Sequence, residues 1–230
     1  MAVKRAAIFT PLFIAFALPA QADALQDQIV AAARATPREG YGFRRTLVSD
    51  QTDRPRRTMV ERFDPRQPTA QRWTLVSVDG HAPTPKELEQ ARKAKRGPTT
   101  SYADIAQWFG APATRSEGQP GTVTYRFAGL PRGTIKLGSH DASPDLQVEA
   151  TVNTSGKTPF VERVRMLSSK KFRMMLVASV ESIVIVSQYR QLADGRAVPA
   201  ESGSEFTGSM LGKRGKIRAV ATYSDFAPGP

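Results

Sequence analysis

"LVASVESIVIVSQYRQL", residues 176–192, is the most apolar stretch of this 230-residue chain outside its N-terminal run. Read at a period of two, Leu176, Ala178, Val180, Val184 and Val186 point one way, and Val177, Ile183, Ile185 and Tyr189 point the other. A membrane-spanning helix needs about twenty mostly apolar residues, and here Glu181 sits mid-run among Ser179, Ser182 and Ser187. The β-branched residues instead favour a strand. An antiparallel strand normally buries one face and wets the other, so apolar character on both faces asks for a cover, a partner or a ligand. The run also exceeds the usual length of about five or six residues, and a bend is expected at Ser179 or Ser182. Two readings stay open. Either the strand is central with both faces packed, or the side bearing Ile183 and Ile185 lines a hollow.

The flanking sequence sets the context of that strand. "DALQDQIVAAARATPREG" places Leu25, Ile29 and Ala32 or Ala33 on one helical stripe that Pro37 and Gly40 end. "YGFRRTLVS", "RRTMVERFD" and "QRWTLVSVDG" follow as strand-like runs. "TPKELEQARKAKRG" reads as a surface helix, with Thr84 as N-cap, Pro85 at the first helical position, Glu87 completing a capping box and Glu89 paired with Lys93. "SYADIAQWFGAP" reads as a better-buried helix, capped by Ser101, with Tyr102, Ile105, Ala106 and Phe109 on one face. "TVTYRFAGL", "DLQVEATVN", "FVERVRML" and "GKIRAVATYSDF" return to strand patterns. In "DLQVEATV", Leu146, Val148, Ala150 and Val152 alternate with Gln147, Glu149 and Thr151, as one wet face requires. Hairpin turns are expected at residues 153–156, at Asp194-Gly195 and at residues 212–215. The fold class that follows is α+β: a curved antiparallel sheet of about ten strands, partly covered by helices, as a single domain over residues 23–230.

The N-terminus has a separate role. Lys4 and Arg5 precede an apolar run from Ala6 to Leu18 and the small-x-small triplet Ala20-Gln21-Ala22, the pattern of a secretory signal peptide over residues 1–22 cleaved after Ala22. The chain has no cysteine, which excludes disulfides and a lipid-anchored form, and a periplasmic protein that relies on its core is expected. Loss of Lys4 and Arg5 lowers the net charge from +12 to +10. Export takes nucleic acid out of reach as a partner. An anionic membrane or envelope component is the natural counterpart of that charge, and simple solubility is the alternative. Arg163 and Arg165 share one strand face and are expected in solvent. Arg44 with Arg45, and Arg56 with Arg57, add charge, but adjacent strand residues face opposite ways, so one of each pair joins any given patch.

Little in the chain points to catalysis. The two histidines, His81 and His140, lack a second ligand at helical spacing, so no metal and no cofactor is expected. Ser139, His140 and Asp141 in "GSHDAS" are sequence neighbours, whereas triad members meet through the fold, and the segment reads as a polar loop. Facing carboxylates of a hydrolase would leave no sequence signature. No catalytic residue is assigned.

The order of elements, with "RWTLVSVDGHAPTPKELEQARK", "YRQLADGRAVPAES" and the closing "ATYSDF", resembles the periplasmic lipoprotein-carrier superfamily of the LolA and LolB type. That resemblance implies a half-open barrel closed by helices around an apolar cavity, and a carrier of acyl chains rather than an enzyme. Trp73, Leu75, Phe127, Ile183, Ile185 and Tyr189, large residues on strands, are the expected lining for an apolar or lipid ligand. An envelope interaction module with a filled core is the alternative.

Overall fold

A computed structural model describes residues 23–94, 101–137, 140–168, 170–175 and 178–229; the expected signal peptide, Ser139 and residues 176–177 lie outside them. Helix α1 (Ala24–Ala35) leads into β1 (Tyr41–Gln51), β2 (Arg54–Phe63) and β3 (Trp73–Val78). Helix α2 (Pro85–Lys93) follows, and then a 3-10 turn, Tyr102–Asp104, that continues as α3 (Ile105–Trp108). The second half is β4 (Thr114–Glu117), β5 (Thr122–Phe127), a ribbon of β6 (Lys136–Leu137) and β7 (His140–Asp141), β8 (Leu146–Asn153), β9 (Phe160–Ser168), β10 (Phe172–Met175), β11 (Ala178–Gln191), β12 (Ala197–Met210) and β13 (Lys213–Pro228). Apart from the ribbon, these strands form one antiparallel sheet in the order β3-β2-β1-β13-β12-β11-β9-β8-β5-β4, with β10 attached to β11. The sheet is open, because β3 and β4 are its two edges. Within the apolar stretch, Ala178–Gln191 is therefore a strand, and among the described residues no helix is long and apolar enough to cross a membrane.

Bulges bend the long strands, as an extra residue on one side of a ladder does. On β11 the register shifts between Val180 and Ser182, at the expected bend. This bulge changes the face assignment. Val180 pairs with Gly208 and Ile183 with Phe206, so Val180 shares the face of Ile183, not that of Val184 and Val186. Gly208 is needed there, since a Cβ on it would stand 2.2 Å from the Ser179 carbonyl oxygen. The turn between β12 and β13 also differs from expectation. It lies at Leu211-Gly212, both with positive φ, and Gly215 is inside β13 opposite Gly208. Gly212 takes the left-handed position, and the glycine three residues on serves the strand.

The helices form where their caps are. Asp23 caps α1 by accepting from the Leu25 and Gln26 amides at 3.0 and 3.3 Å, and Ile29 and Ala33 are its buried side chains. The expected capping box of α2 is present, and Glu87 also accepts from Arg57 at 2.8 Å, which ties this otherwise unburied helix to β2. Ser101 caps the Tyr102 segment as expected. The Gln26 side-chain amide donates to the Phe109 and Ala111 carbonyls and so joins α1 to α3. Together they cover one half of one sheet face. Ile29, Ile105 and Phe109 pack there on Val123, Tyr125, Phe127, Leu146, Val148, Val161 and Met166. Each such side chain taken out of water contributes on the order of 1.5–3 kcal/mol, so this half carries most of the core.

Candidate functional site: an apolar sheet face half covered by helices

Cross-strand partners share a face, so the register traces the helix side across the whole sheet. From the covered half it runs through Ile183, Ile185, Ser187 and Tyr189 on β11, then Ser202, Ser204 and Phe206 on β12. It continues through Ile217, Ala219 and Ala221 on β13, Leu47 on β1 and Met59 on β2. It ends in Phe63, Trp73 and Val78 near the β3 edge. The far end holds a second, smaller cluster. Phe43 stacks on Phe63 with centroids 5.1 Å apart and meets Trp73 and Tyr223 edge-on at 5.7 and 5.4 Å.

Between the two clusters the same face is apolar and lacks full cover. Leu47, Met59, Ala219 and Phe206 are half-buried, and Ile217 remains 47% exposed. A hydroxyl row crosses this strip: Ser187 is buried, and the Ser202 and Tyr223 hydroxyls stand 3.3 Å apart. At the strip's margin Arg45 lies 4.3 Å over the Trp73 ring and donates to the Glu61 carboxylate at 2.5 Å. An ion pair held against an indole face places fixed charge next to apolar surface and can orient a polar group of anything lying on the strip.

The expected lining residues divide between the two settings. Trp73, half-buried, and Leu75 belong to the sparsely covered half. Phe127 and Tyr189 are packed under the helices, Ile183 is 1% exposed, and Ile185 is half-buried against the same core. On β11 the Ile183 side is therefore covered, and Val184 and Val186 on the other side are half-buried. Tyr102 fixes the cover. Its ring meets Tyr189 edge-on at 5.3 Å, and its hydroxyl accepts from the Val161 amide at 2.9 Å, an amide beside a register shift in β9. Burial pushes the Tyr102 hydroxyl pKa up to about 12, against the lowering effect of that hydrogen bond. The Tyr189 hydroxyl is buried near Ser187 and, among the described residues, makes no hydrogen bond of normal geometry.

The arginines are dispersed. Arg163 and Arg165 are exposed on the side away from the helices, where Arg165 stands opposite Glu149. Arg44 and Arg56 are exposed, Arg57 is bound to Glu87, and Arg45 faces the apolar strip. Leu47, Met59, Glu61, Phe206 and Ile217 escaped the sequence reading. The alternation of Phe43, Arg45 and Leu47 in β1 was their available signal, but the charge of Arg45 masks it. Two hollows open on the surface of the described residues. One of about 380 Å³ is lined by Arg62, Asp64, Gln71 and Arg72, and one of about 160 Å³ by Tyr102, Phe160 and Arg196 with neighbours. Among the described residues no three His, Asp or Glu side chains gather as metal ligands. His140 instead stacks on Phe172 at 4.1 Å, and Asp141 accepts from Ser143 and Gly133.

A LolA superfamily protein is similar in structure. The likeness is to the crystal structure of that protein from Nitrosomonas europaea, with 13% sequence identity, over 91% of this chain and 95% of the other, at a TM-score of 0.38. No protein-family model matches the chain, and no curated protein matches it in sequence.

Proposed function

We propose that the chain is an exported, non-enzymatic carrier that shelters an acyl chain or another apolar ligand on the uncovered strip of its helix-side sheet face. In this reading residues 1–22 are a signal peptide, residues 23–230 act as one periplasmic domain, and Trp73 and Leu75 with Leu47, Met59 and Phe206 form the lining. The observation that carries it is the mismatch between face and cover. The sheet presents apolar side chains well beyond the half that α1 and α3 occupy, and one of them, Ile217, is 47% exposed. Apolar side chains left partly open along one sheet face offer a floor for a ligand or partner. Arg45 and Glu61 lie where a head group would meet the strip.

Organic extraction of the natively purified protein followed by mass spectrometry tests this reading. An acyl-bearing molecule is expected from the wild type, and its loss is expected from Leu47→Asp with Phe206→Asp while unfolding stays cooperative, with the melting temperature lowered by several degrees. A wild type that yields no ligand and binds no lipophilic dye refutes the carrier. That result would favour an envelope interaction module with a filled core, which the packing of Phe127, Ile183 and Tyr189 supports.

A further inference from the structure

The hairpin between β12 and β13 breaks two rules at one residue. Leu211 is 74% exposed, the most exposed large apolar side chain among the described residues. It also holds φ 51 beside Gly212 at φ 78, the pattern of a type I′ turn, whose first position favours asparagine, aspartate or glycine. A leucine in the left-handed region has neither burial nor backbone preference to keep it there. The hairpin also extends past the β1-β2 turn, while on its other side β11 accompanies β12 as far as Met210. Thr52, in the turn between β1 and β2, bonds the Lys216 backbone, and β13 continues past that level through Gly215, Arg214 and Lys213 without a strand on that side among the described residues. At about 3.3 Å per residue this is a projection of roughly 10 Å.

Charge surrounds the tip. Lys213, Arg214, Lys216 and Arg218 on β13 and Arg54 and Arg56 on β2 are all exposed at this end. The acids nearby are Asp50, Asp53, Glu205, which takes Lys216 at 2.8 Å, and Glu181, 3.7 Å from Arg214. Glu181 and Glu205 lie level with Lys216 and Arg218, and residues 209–215 nearer the tip hold two cations, Lys213 and Arg214, and no acid. Ile217 and Phe206 sit at the same end of the helix-side face, so the apolar strip opens toward this hairpin.

We infer that the Leu211 hairpin is a membrane-docking tip: Leu211 enters the head-group region of an anionic bilayer while Lys213, Arg214 and the neighbouring arginines hold lipid phosphates. An apolar tip ringed by cations fits a surface that is anionic outside and hydrocarbon within, because hydrophobic insertion and electrostatic attraction then act together. The inference stands whether or not the strip holds a ligand.

The test is partitioning of the full mature chain onto large vesicles, either phosphatidylglycerol with phosphatidylethanolamine or phosphatidylcholine alone. Binding to the anionic vesicles is expected, and it should weaken steeply from low to high salt. Leu211→Asn suits the turn, so its melting temperature should hold or rise, while its partition coefficient should fall about tenfold with loss of the buried side chain. Lys213→Glu with Arg214→Glu should lower it by a similar factor or more at low salt. The inference is overturned if Leu211→Asn partitions within about twofold of the wild type, or if anionic and zwitterionic vesicles bind alike. It fails equally if Arg163→Glu with Arg165→Glu costs as much binding as the tip reversal, or if the hairpin instead pairs two copies of the chain in solution with no vesicle binding.

Discussion

An aspartate in place of Ile183 should all but unfold the protein at neutral pH, whereas the same residue in place of Leu47 on the same sheet face should be tolerated. Ile183 is 1% exposed. Removing it forfeits about 2–3 kcal/mol of burial. The new carboxyl has an ordinary pKa of about 3.9, and holding it neutral in a dry site at pH 7 costs about 1.4 kcal/mol for each of roughly three units, or about 4 kcal/mol. The combined loss, about 6–7 kcal/mol, compares with a typical total stability of about 5–15 kcal/mol. At Leu47, half-buried on the open strip, the carboxylate keeps its water and only part of the leucine's burial is lost, about 1–2 kcal/mol. The pH dependence separates the causes. A buried carboxyl has its folded pKa raised above the unfolded value, so below about pH 4 it is neutral in both states, and the penalty grows by about 1.4 kcal/mol per unit as pH rises toward the folded pKa. Urea unfolding of Ile183→Asp, Leu47→Asp and wild type at pH 4 and pH 7 gives the comparison. An Ile183→Asp protein within about 1 kcal/mol of wild type at pH 7 would place Ile183 on a hydrated wall and refute the division of the face.

Tyr102→Phe removes the acceptor of the Val161 amide and should cost about 1–3 kcal/mol, whereas Tyr189→Phe, which deletes a buried hydroxyl that makes no hydrogen bond of normal geometry among the described residues, should be neutral or stabilising; thermal melts of both variants decide this. Burial raises the Asp23 pKa, but the hydrogen bonds from Tyr125 and the Gln26 and Leu25 amides, with the charge of Arg115, outweigh it and hold the carboxyl below its usual value of 3.8. A depressed folded pKa stabilises above the unfolded pKa and loses that contribution as pH falls through the folded one, so Asp23→Ala should cost about 0.5–2 kcal/mol at pH 7 and flatten the acid limb of a stability profile below about pH 4. The intact mass of the protein recovered from the periplasm should correspond to a chain beginning at Asp23, and a mass retaining residues 1–22 would remove the export reading.

Local structure was legible in the sequence wherever a residue acts on its own neighbours. Thr84, Pro85 and Glu87 started α2 as read, Ser101 capped the Tyr102 segment, and the alternation of Leu146, Val148, Ala150 and Val152 set the buried face of β8. Those signals depend on hydrogen bonds and periodicities within a few residues. The β11 faces were misread because one bulge at Glu181 moves Val180 across the sheet, and a bulge is a property of two paired strands rather than of one. The cover was equally invisible. Ile183 and Leu47 are similar apolar residues on similar strands and on one sheet face, yet the first is 1% exposed and the second is half-buried on the strip that α1 and α3 leave open. Composition alone made a basic, cysteine-free chain with a rich supply of strands. Which part of that sheet is core and which part is surface was decided only when Gln26 met the Phe109 carbonyl and Tyr102 met the Val161 amide, contacts between residues far apart in the chain that exist only once it has folded.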